Sequence, residues 1–534
     1  MPPDHQDSQA DEPCLDMVDI QGIAVPGFLK PHQTLLYVRL NQADLTGFRR
    51  FVGTFSATTA QQALDDRREH RSGQAASDRV LKAITFSYPG LMKLAPSAAN
   101  IPSEAFRLGM AARSKLLGDP QNPKSRGRPS NWVVGAPGQE LDAMLVVAGT
   151  DRSHVTREAV RLETLLIGVG AEVAVQEGDV RPDDVGHEHF GFDDGVSQPG
   201  IRGLASGDPT DFITPRHIDP TSDPLGARLF GYPGQDLVWP GELVLGYGAG
   251  GPDPLRPGPP AEAAPAWTRN GSFLVFRRLR QEVAMFWNWV AQQTKARHAA
   301  GDTSLDEVGL AARIVGRWPS GAPVARTPLA DDPGIGKDSF ENNDFRVDAD
   351  TPSWRFLRDD CAPSTGTRFP SKVAQADPLG LVCPWAAHIR KVNTRDSASD
   401  VGGNLSTYTR RLLRVGVPYG PSIAEPHTDD GVDRGLLFLS IQSSIEDQFE
   451  FLQSRWMNDP SRPKMPGGQD MLVGQNAASA DGVRRAIAFP PGSTEPFALA
   501  ADQQWVVPTG GGYFFIPSLS ALRTVLGQHD DPPV

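Results

Sequence analysis

The chain predicts an α+β protein of two units, each an antiparallel sheet with helices. The run Thr34–Val52 and the run Ser272–Val290 both read strand-then-helix, and they match without gaps at Leu36/Leu274, Arg39/Arg277, Phe48/Phe286 and Val52/Val290. Further strand-like and helical runs give each half a β-α-β-β-α-β-like order.

In the first half, "TLLYVRL" (34–40) is an apolar run of strand length, and Leu45, Phe48 and Val52 then fall on one helical face. "AMLVVAG" (143–149) and "AEVAVQEG" (171–178) read as strands, with helical "REAVRLETLLIGV" (157–169) between them. In the second half, "SFLVFRRLRQEVAMFWNWV" (272–290) runs from strand to helix, with Val283, Phe286, Trp287 and Val290 as the helical stripe. "GLLFLSIQ" (435–442) and "GGYFFIP" (511–517) are its further strands.

Breaks come at "DPQNPKSRGRPSNW", "GAGGPDPLRPGPPAEAAPAW" and "RWMNDPSRPKMPGGQD", each too rich in Pro and Gly for a helix or a central strand. The second break precedes the restart of the repeat. The expected division is a disordered tail 1–17, a first domain 18–247 with insertions, a linker or insertion 248–267, and a second domain 268–534.

Bulk properties narrow the function. At 534 residues there is room for a buried cofactor, and a net charge of −12 argues against nucleic acid as partner. No run of eighteen apolar residues occurs, and the N-terminus "MPPDHQDSQADEPCLD" is polar and acidic, so no membrane span or signal peptide is expected and the location expected is cytoplasmic. Cys14, Cys361 and Cys383 are far apart and odd in number, which suits neither a disulfide scaffold nor a CxxC zinc site.

Four stretches carry chemistry. In "HEHFGFDDGVSQPG" (187–200), Gly191 and Gly195 permit unusual backbone conformations, so Asp194 reads as a turn cap or as a carboxylate aimed into a cavity. His187 and His189 alternate around Glu188 and on a strand would share one face, as a metal pair or as two hydrogen-bonded histidines. No third ligand is spaced to help. In "CPWAAHIRKVNTR" (383–395), His388 follows small and aromatic residues and precedes a basic cluster. It reads as a core histidine or as an axial haem ligand, with Arg390, Lys391 or Arg395 neutralising propionates. Arg414, before a Gly/Pro turn, reads as a surface charge or as a partner for a developing oxyanion. "GLLFLSIQSSIEDQFEFLQSRW" (435–456) is a strand running into a helix, either core or cofactor wall.

Taken together, "GFDDG", "HIRKVNTR", "RVGVPYG" and the late "GGGYFFIPSLSAL", with the opening "VDIQGIAVPGFLKPHQTLLYVRL", resemble the dye-decolourising peroxidases, a haem family of two ferredoxin-like domains. The resemblance spans about residues 18–525 and is closest to the larger, insertion-bearing subgroup. It implies one haem b per chain, held by the C-terminal half, and a peroxidase that reduces hydrogen peroxide while oxidising dyes, phenols or similar small organic reductants.

Position by position, the resemblance makes His388 the axial ligand of the haem iron, Asp194 the distal acid/base and Arg414 the distal arginine. Gly195, Val196, Ser197, Asn393, Thr394 and Arg395 would line the haem edge, and Leu436 and Phe438 the distal wall. Asp470 matches the acid that accepts a hydrogen bond from the axial histidine. Thr394 stands where the family usually has proline. A carboxylate shuttle stays competent in acid, because free aspartate titrates near 4 and imidazole near ~6.5, so an acidic optimum is expected. Trp456 and Tyr419 are candidates for carrying electrons to bulky reductants, against ordinary core packing. The alternative to an enzyme is a haem-binding or haem-handling protein, for which His388 and a pocket would suffice; Asp194 and Arg414 together favour the enzyme. A third reading, a non-haem metal held by His187 and His189, needs no porphyrin. The oligomeric state stays open.

Overall fold

The computed structural model describes residues 12–72, 79–251, 253–348, 376–403, 405–465 and 467–528; Cys361 and residues 1–11 of the expected tail lie outside them. The first half supplies β1 (His32–Arg39), β2 (Leu81–Phe86), β3 (Ala143–Gly149) and β4 (Glu172–Asp179). A short parallel pair follows, β5 (Gly200–Ile201) with β6 (Leu237–Val238). The second half supplies β7 (Ser272–Gln281), β8 (Leu413–Arg414), β9 (Val417–Tyr419), β10 (Gly435–Gln442), a hairpin of β11 (Arg484–Ala488) and β12 (Phe497–Ala501), and finally β13 (Val506–Ile516).

One sheet runs β4-β1-β3-β2-β13-β7-β10-β8, with β9 also on β10. Each half therefore orders its strands fourth-first-third-second, the antiparallel order of a ferredoxin-like unit: β4-β1-β3-β2 in the first and β13-β7-β10-β8 in the second. The two meet through Phe515 and Phe86. At the far ends β4 nears β9, since a Cβ at Gly178 would collide with the Val417 side chain, and Arg278 Nε donates to Gln176 Oε1 at 3.2 Å. The sheet thus curls into a barrel.

Alternation along the strands sorts side chains to two faces. Leu35, Tyr37, Val146, Leu274, Phe276, Leu437, Leu439 and Phe514 point inward and form one core to which both halves contribute. Outside the first half, Leu36, Val38, Ile84, Leu145 and Val147 are sealed by Val155, Ala159, Leu162 and Leu166 of the helix Arg152–Gly168, capped by the Asp151 carboxylate. The repeat aligned in the sequence holds for burial but not for strand register: Phe48 and Phe286, and Val52 and Val290, are all fully buried, whereas Leu36 faces outward and its aligned partner Leu274 inward, so the ungapped match sets the two strands one residue out of step.

Two parts of the expected division read differently. Residues 12–17, assigned to a disordered tail, are packed: Leu15 and Met17 are buried, and Glu12 pairs with Arg202 and Arg216 at 3.5 and 3.0 Å. The Pro/Gly-rich segment 248–267 folds back on the chain before it, with Gly246 N donating to Ala261 O, Ala261 N to Tyr247 O and Gly258 N to Ala249 O. Among the described residues, no helix is long and apolar enough to cross a membrane.

Candidate active site

On the outer face of the second half lies a cavity with an empty volume of ≈ 1850 Å³, its open mouth included. The sheet contributes Arg277, Leu279 and Gln281 from β7, Arg414 from β8, and Leu436 and Phe438 from β10. These positions alternate with the inward-facing core residues, so the strand period alone aims them outward. The helical side contributes His388, Ile389 and Val392 from the short helix His388–Val392, and Phe449, Leu452, Gln453 and Met457 from the π-type helix Ile445–Met457. The loop 193–199, although it belongs to the first half of the chain, lines the cavity too.

His388 Nδ1 lies 2.7 Å from Asp470 Oδ2. Asp470 is fully buried, and its other oxygen accepts from the backbone N–H groups of Leu472 and Val473 at 2.9 and 3.0 Å. The carboxylate is thereby fixed, and it fixes the imidazole, leaving Nε2 as the ring nitrogen free for a ligand. Among the described residues His388 is the only histidine lining this cavity.

Asp194 sits between two glycines with positive φ, Gly191 at +94° and Gly195 at +81°, and neither has a neighbour that would bar a side chain except through its backbone. The turn needs that conformation. Asp194 Oδ1 accepts from Gly195 N at 2.7 Å and from Arg414 Nη1 at 3.1 Å, so the acid and the distal arginine expected from the sequence form one pair. Gly195, Val196, Ser197, Asn393, Arg395, Leu436 and Phe438 line the same cavity.

Thr394 does not line it. Its side chain is buried and its hydroxyl donates to Ser397 O at 3.1 Å, so it shapes the turn instead. Within the basic cluster only Arg395 reaches the cavity. Arg390 is buried on Asp377 Oδ2 at 3.0 Å and on the carbonyls of Asp377 and Cys383, and the Lys391 ammonium caps the carbonyls of Asp459, Arg462 and Gly468. Neither Trp456 nor Tyr419 lines the cavity: the Trp456 indole is buried on Asp400 Oδ1, and Tyr419 is buried beneath Arg278.

His187 and His189 do not form a pair. His187 Nε2 meets Pro319 O and His189 Nε2 meets Tyr419 O, both at 2.9 Å, and burial holds the His189 imidazole down to about 4. Among the described residues no group of three or more His, Cys, Asp or Glu side chains is arranged to hold a metal.

The sequence reading missed several lining residues. Arg411 bonds Asp236 Oδ2 and Asn393 Oδ1 at 2.8 and 2.7 Å, while its buried Nη1 has no partner among the described residues. Arg317 bonds Gly321 O and Asn343 Oδ1, beside the expected Arg395, which adopts a φ of +51° while stacking 3.5 Å from the Phe345 centroid. Burial lowers Arg317 to about 9 and Arg395 to about 10, with the neighbouring Arg395 cation depressing Arg317 further and Arg411 depressing Arg395. Glu188 and Asp193 face the same space, and burial raises them to about 7 and about 6. The signal for these residues was weak because an arginine's burial depends on tertiary packing, not on its neighbours in sequence.

The residues present fit a haem. An imidazole with Nδ1 committed and Nε2 free suits an iron, Leu436, Phe438, Ile389, Val392, Leu452 and Val473 suit the faces of a macrocycle, and Arg317, Arg395 and the orphaned Arg411 N–H call for an anionic edge.

Comparison with known proteins agrees with this geometry. Residues 19–182 match the family model described as the DyP dimeric alpha+beta barrel domain. Dye-decolorizing peroxidase msp1 of Mycetinis scorodonius is 30% identical over 529 residues, covering 96% of this chain and 88% of its own. Multifunctional dye peroxidase DyP2 of Amycolatopsis sp. is 29% identical over 523 residues, covering 94% of both. Among solved structures, an ancestral D-type dye decolorizing peroxidase superposes with a TM-score of 0.73 at 31% identity, covering 96% of this chain and 99% of that one. A dye-decolorizing peroxidase in complex with 2,6-dimethoxyphenol gives a TM-score of 0.70 at 27% identity, covering 96% of this chain and 100% of that one. Near-complete coverage in sequence and in fold, on a chain whose two halves repeat one unit, identifies it as an enzyme of the dye-decolorizing peroxidase family.

Proposed function

We propose that this enzyme binds one haem b per chain through His388, reduces hydrogen peroxide and oxidises dyes, phenols or similar organic reductants, working best in acid. One observation carries the reading: a histidine backed by a buried aspartate and an aspartate–arginine pair share a single cavity. Relatives named as dye peroxidases, and a neighbour solved with 2,6-dimethoxyphenol, support the choice of reductant.

The bound haem would supply the redox chemistry that divides peroxide and draws electrons from the reductant. The chain's residues do the rest. Asp194, as carboxylate, takes a proton from one peroxide oxygen and delivers it to the other, so that the oxygen–oxygen bond breaks unevenly. The Arg414 guanidinium, 3.1 Å from Asp194, stabilises the negative charge that develops on the departing oxygen. Asp470 accepts the His388 Nδ1 proton and makes Nε2 the stronger electron donor. Both members of the distal pair favour an enzyme over a haem carrier, since binding alone needs neither.

A carboxylate also explains the acidic optimum: at about pH 5 a free aspartate is mostly ionised, whereas an imidazole of ordinary pKa near ~6.5 is mostly protonated. Absorption spectra of the wild type and His388→Ala, both expressed with ample haem, test the reading. A Soret band in the wild type and its loss in the variant are expected; a wild type that takes up no haem would sink the claim.

A further inference from the structure

Arg414 lies in β8, the last strand of the sheet, opposite Ser440 of β10. Its neighbour Val415 donates to Leu439 O at 3.0 Å, so in the alternating pattern of an antiparallel pair Arg414 turns its own N–H and C=O to the open edge. Such groups ordinarily go to water or to another strand. Here the Gln198 side chain takes both: Arg414 N donates to Gln198 Oε1 at 3.1 Å and Gln198 Nε2 donates to Arg414 O at 3.0 Å. A carboxamide offers the same donor and acceptor as a peptide group, so Gln198 acts as an edge strand one residue long.

The Arg414 guanidinium then reaches back to the same loop, with Nη2 donating to Ser197 O at 2.9 Å and Nη1 to Asp194 Oδ1 at 3.1 Å. The loop is tied down beyond Gln198 as well, where Gly200 N donates to Asp236 O at 2.8 Å. The ion pair joins two side-chain ends and by itself leaves the β8 backbone free to shift relative to the loop. The two directed bonds from Gln198 fix that backbone.

We propose that Gln198 is the positioning residue that sets the distance between Asp194 and Arg414, a role that rests on the peroxidase reading above. Gln198→Ala should lower the second-order rate with hydrogen peroxide, per bound haem, about ten- to a hundredfold, while the KM for a phenolic reductant changes little. Gln198→Glu keeps the acceptor, loses the donor and should fall between. The decisive arm is the double variant. In an Asp194→Asn background, Gln198→Ala should add almost nothing, because the pair it positions is already broken. Amide hydrogen exchange at Arg414 in the haem-loaded protein, a readout independent of turnover, should quicken in Gln198→Ala. Equal losses in both backgrounds, or unchanged exchange at Arg414, would overturn the proposal. If Asp194→Asn alone leaves the peroxide rate intact, the catalytic reading of Asp194 fails, and the exchange measurement still decides whether Gln198 holds the strand.

Discussion

The two halves of the barrel order their strands identically, yet one outer face is sealed and the other is hollow. On the first, Leu36, Val38, Ile84, Leu145 and Val147 meet the helix Arg152–Gly168 directly. On the second, the helix Ile445–Met457 follows β10 as Arg152–Gly168 follows β3, but a cavity lies among Phe438, Leu436, Phe449 and Leu452. Two arginines make the contrast concrete, although the ungapped alignment that pairs them sets Arg39 on the side of β1 that carries Leu35 and Tyr37 and Arg277 on the outward side of β7. Arg39 ends β1 at the surface with Glu172, whereas Arg277 on β7 is buried, lines the cavity and pairs with the fully buried Asp119 at 2.7 Å. One unit, used twice, supplies a wall in one copy and a cavity in the other. The difference lies in what is packed over the sheet.

If the chemistry belongs to the hollow face, its largest response should come from the pair that the loop 193–199 carries onto that face. Asp194→Asn keeps the size of the side chain but removes its ability to take a proton. The rate of reaction with peroxide should fall by about 10²–10⁴-fold. Stopped-flow absorbance at fixed haem content measures it, and thermal unfolding should move little, because the asparagine oxygen can still accept from Gly195 N and only one ion pair is lost.

The aligned arginines give the second test. Removing Arg277 leaves the buried Asp119 carboxylate without its partner, a loss of about 3–5 kcal/mol. Removing Arg39 breaks an ion pair open to solvent, for which about 0–1 kcal/mol is expected. Denaturant unfolding of Arg277→Ala and Arg39→Ala compares them, and equal losses would mean that the two ion pairs do not differ in the way their burial implies.

How far the sequence alone reaches follows from the same contrast. The strands of both copies are legible because buried alternation and apolar runs are local signals, and so is the His388 segment, where a histidine in an apolar setting abuts a basic turn. The short strand Leu81–Phe86 escapes, because only its pairing with β3 and β13 marks it. Glu12 is read as part of a tail because its partners, Arg202 and Arg216, lie about 200 residues on. Thr394 resembles a lining residue by its place in the motif, and only the three-dimensional turn shows its hydroxyl spent on Ser397. Gln198 carries no sequence signal at all, since its two bonds to the Arg414 backbone cross 216 positions.

The smallest expected effect separates the two halves by the sign of their pH dependence. In the first half, hydrogen bonds from Arg161 and Lys82 hold the Glu158 carboxylate down to about 2. Its contribution is present above the usual glutamate range and is lost as pH falls from ~4.3 toward about 2. In the second half's cavity, burial raises Glu188 to about 7, against the pull of Phe190 N, Phe192 N and Gln281 Nε2. The folded chain then keeps a proton that the unfolded chain has released, so stability falls as pH rises from ~4.3 to about 7, by at most about 4 kcal/mol. Glu158→Gln should flatten the acid side of a plot of unfolding midpoint against pH, and Glu188→Gln the neutral side, whatever each does to the midpoint itself. A Glu188→Gln plot with the wild-type slope between about pH 4 and pH 7 would show that the three N–H donors outweigh burial and that the hollow face holds Glu188 as a carboxylate throughout.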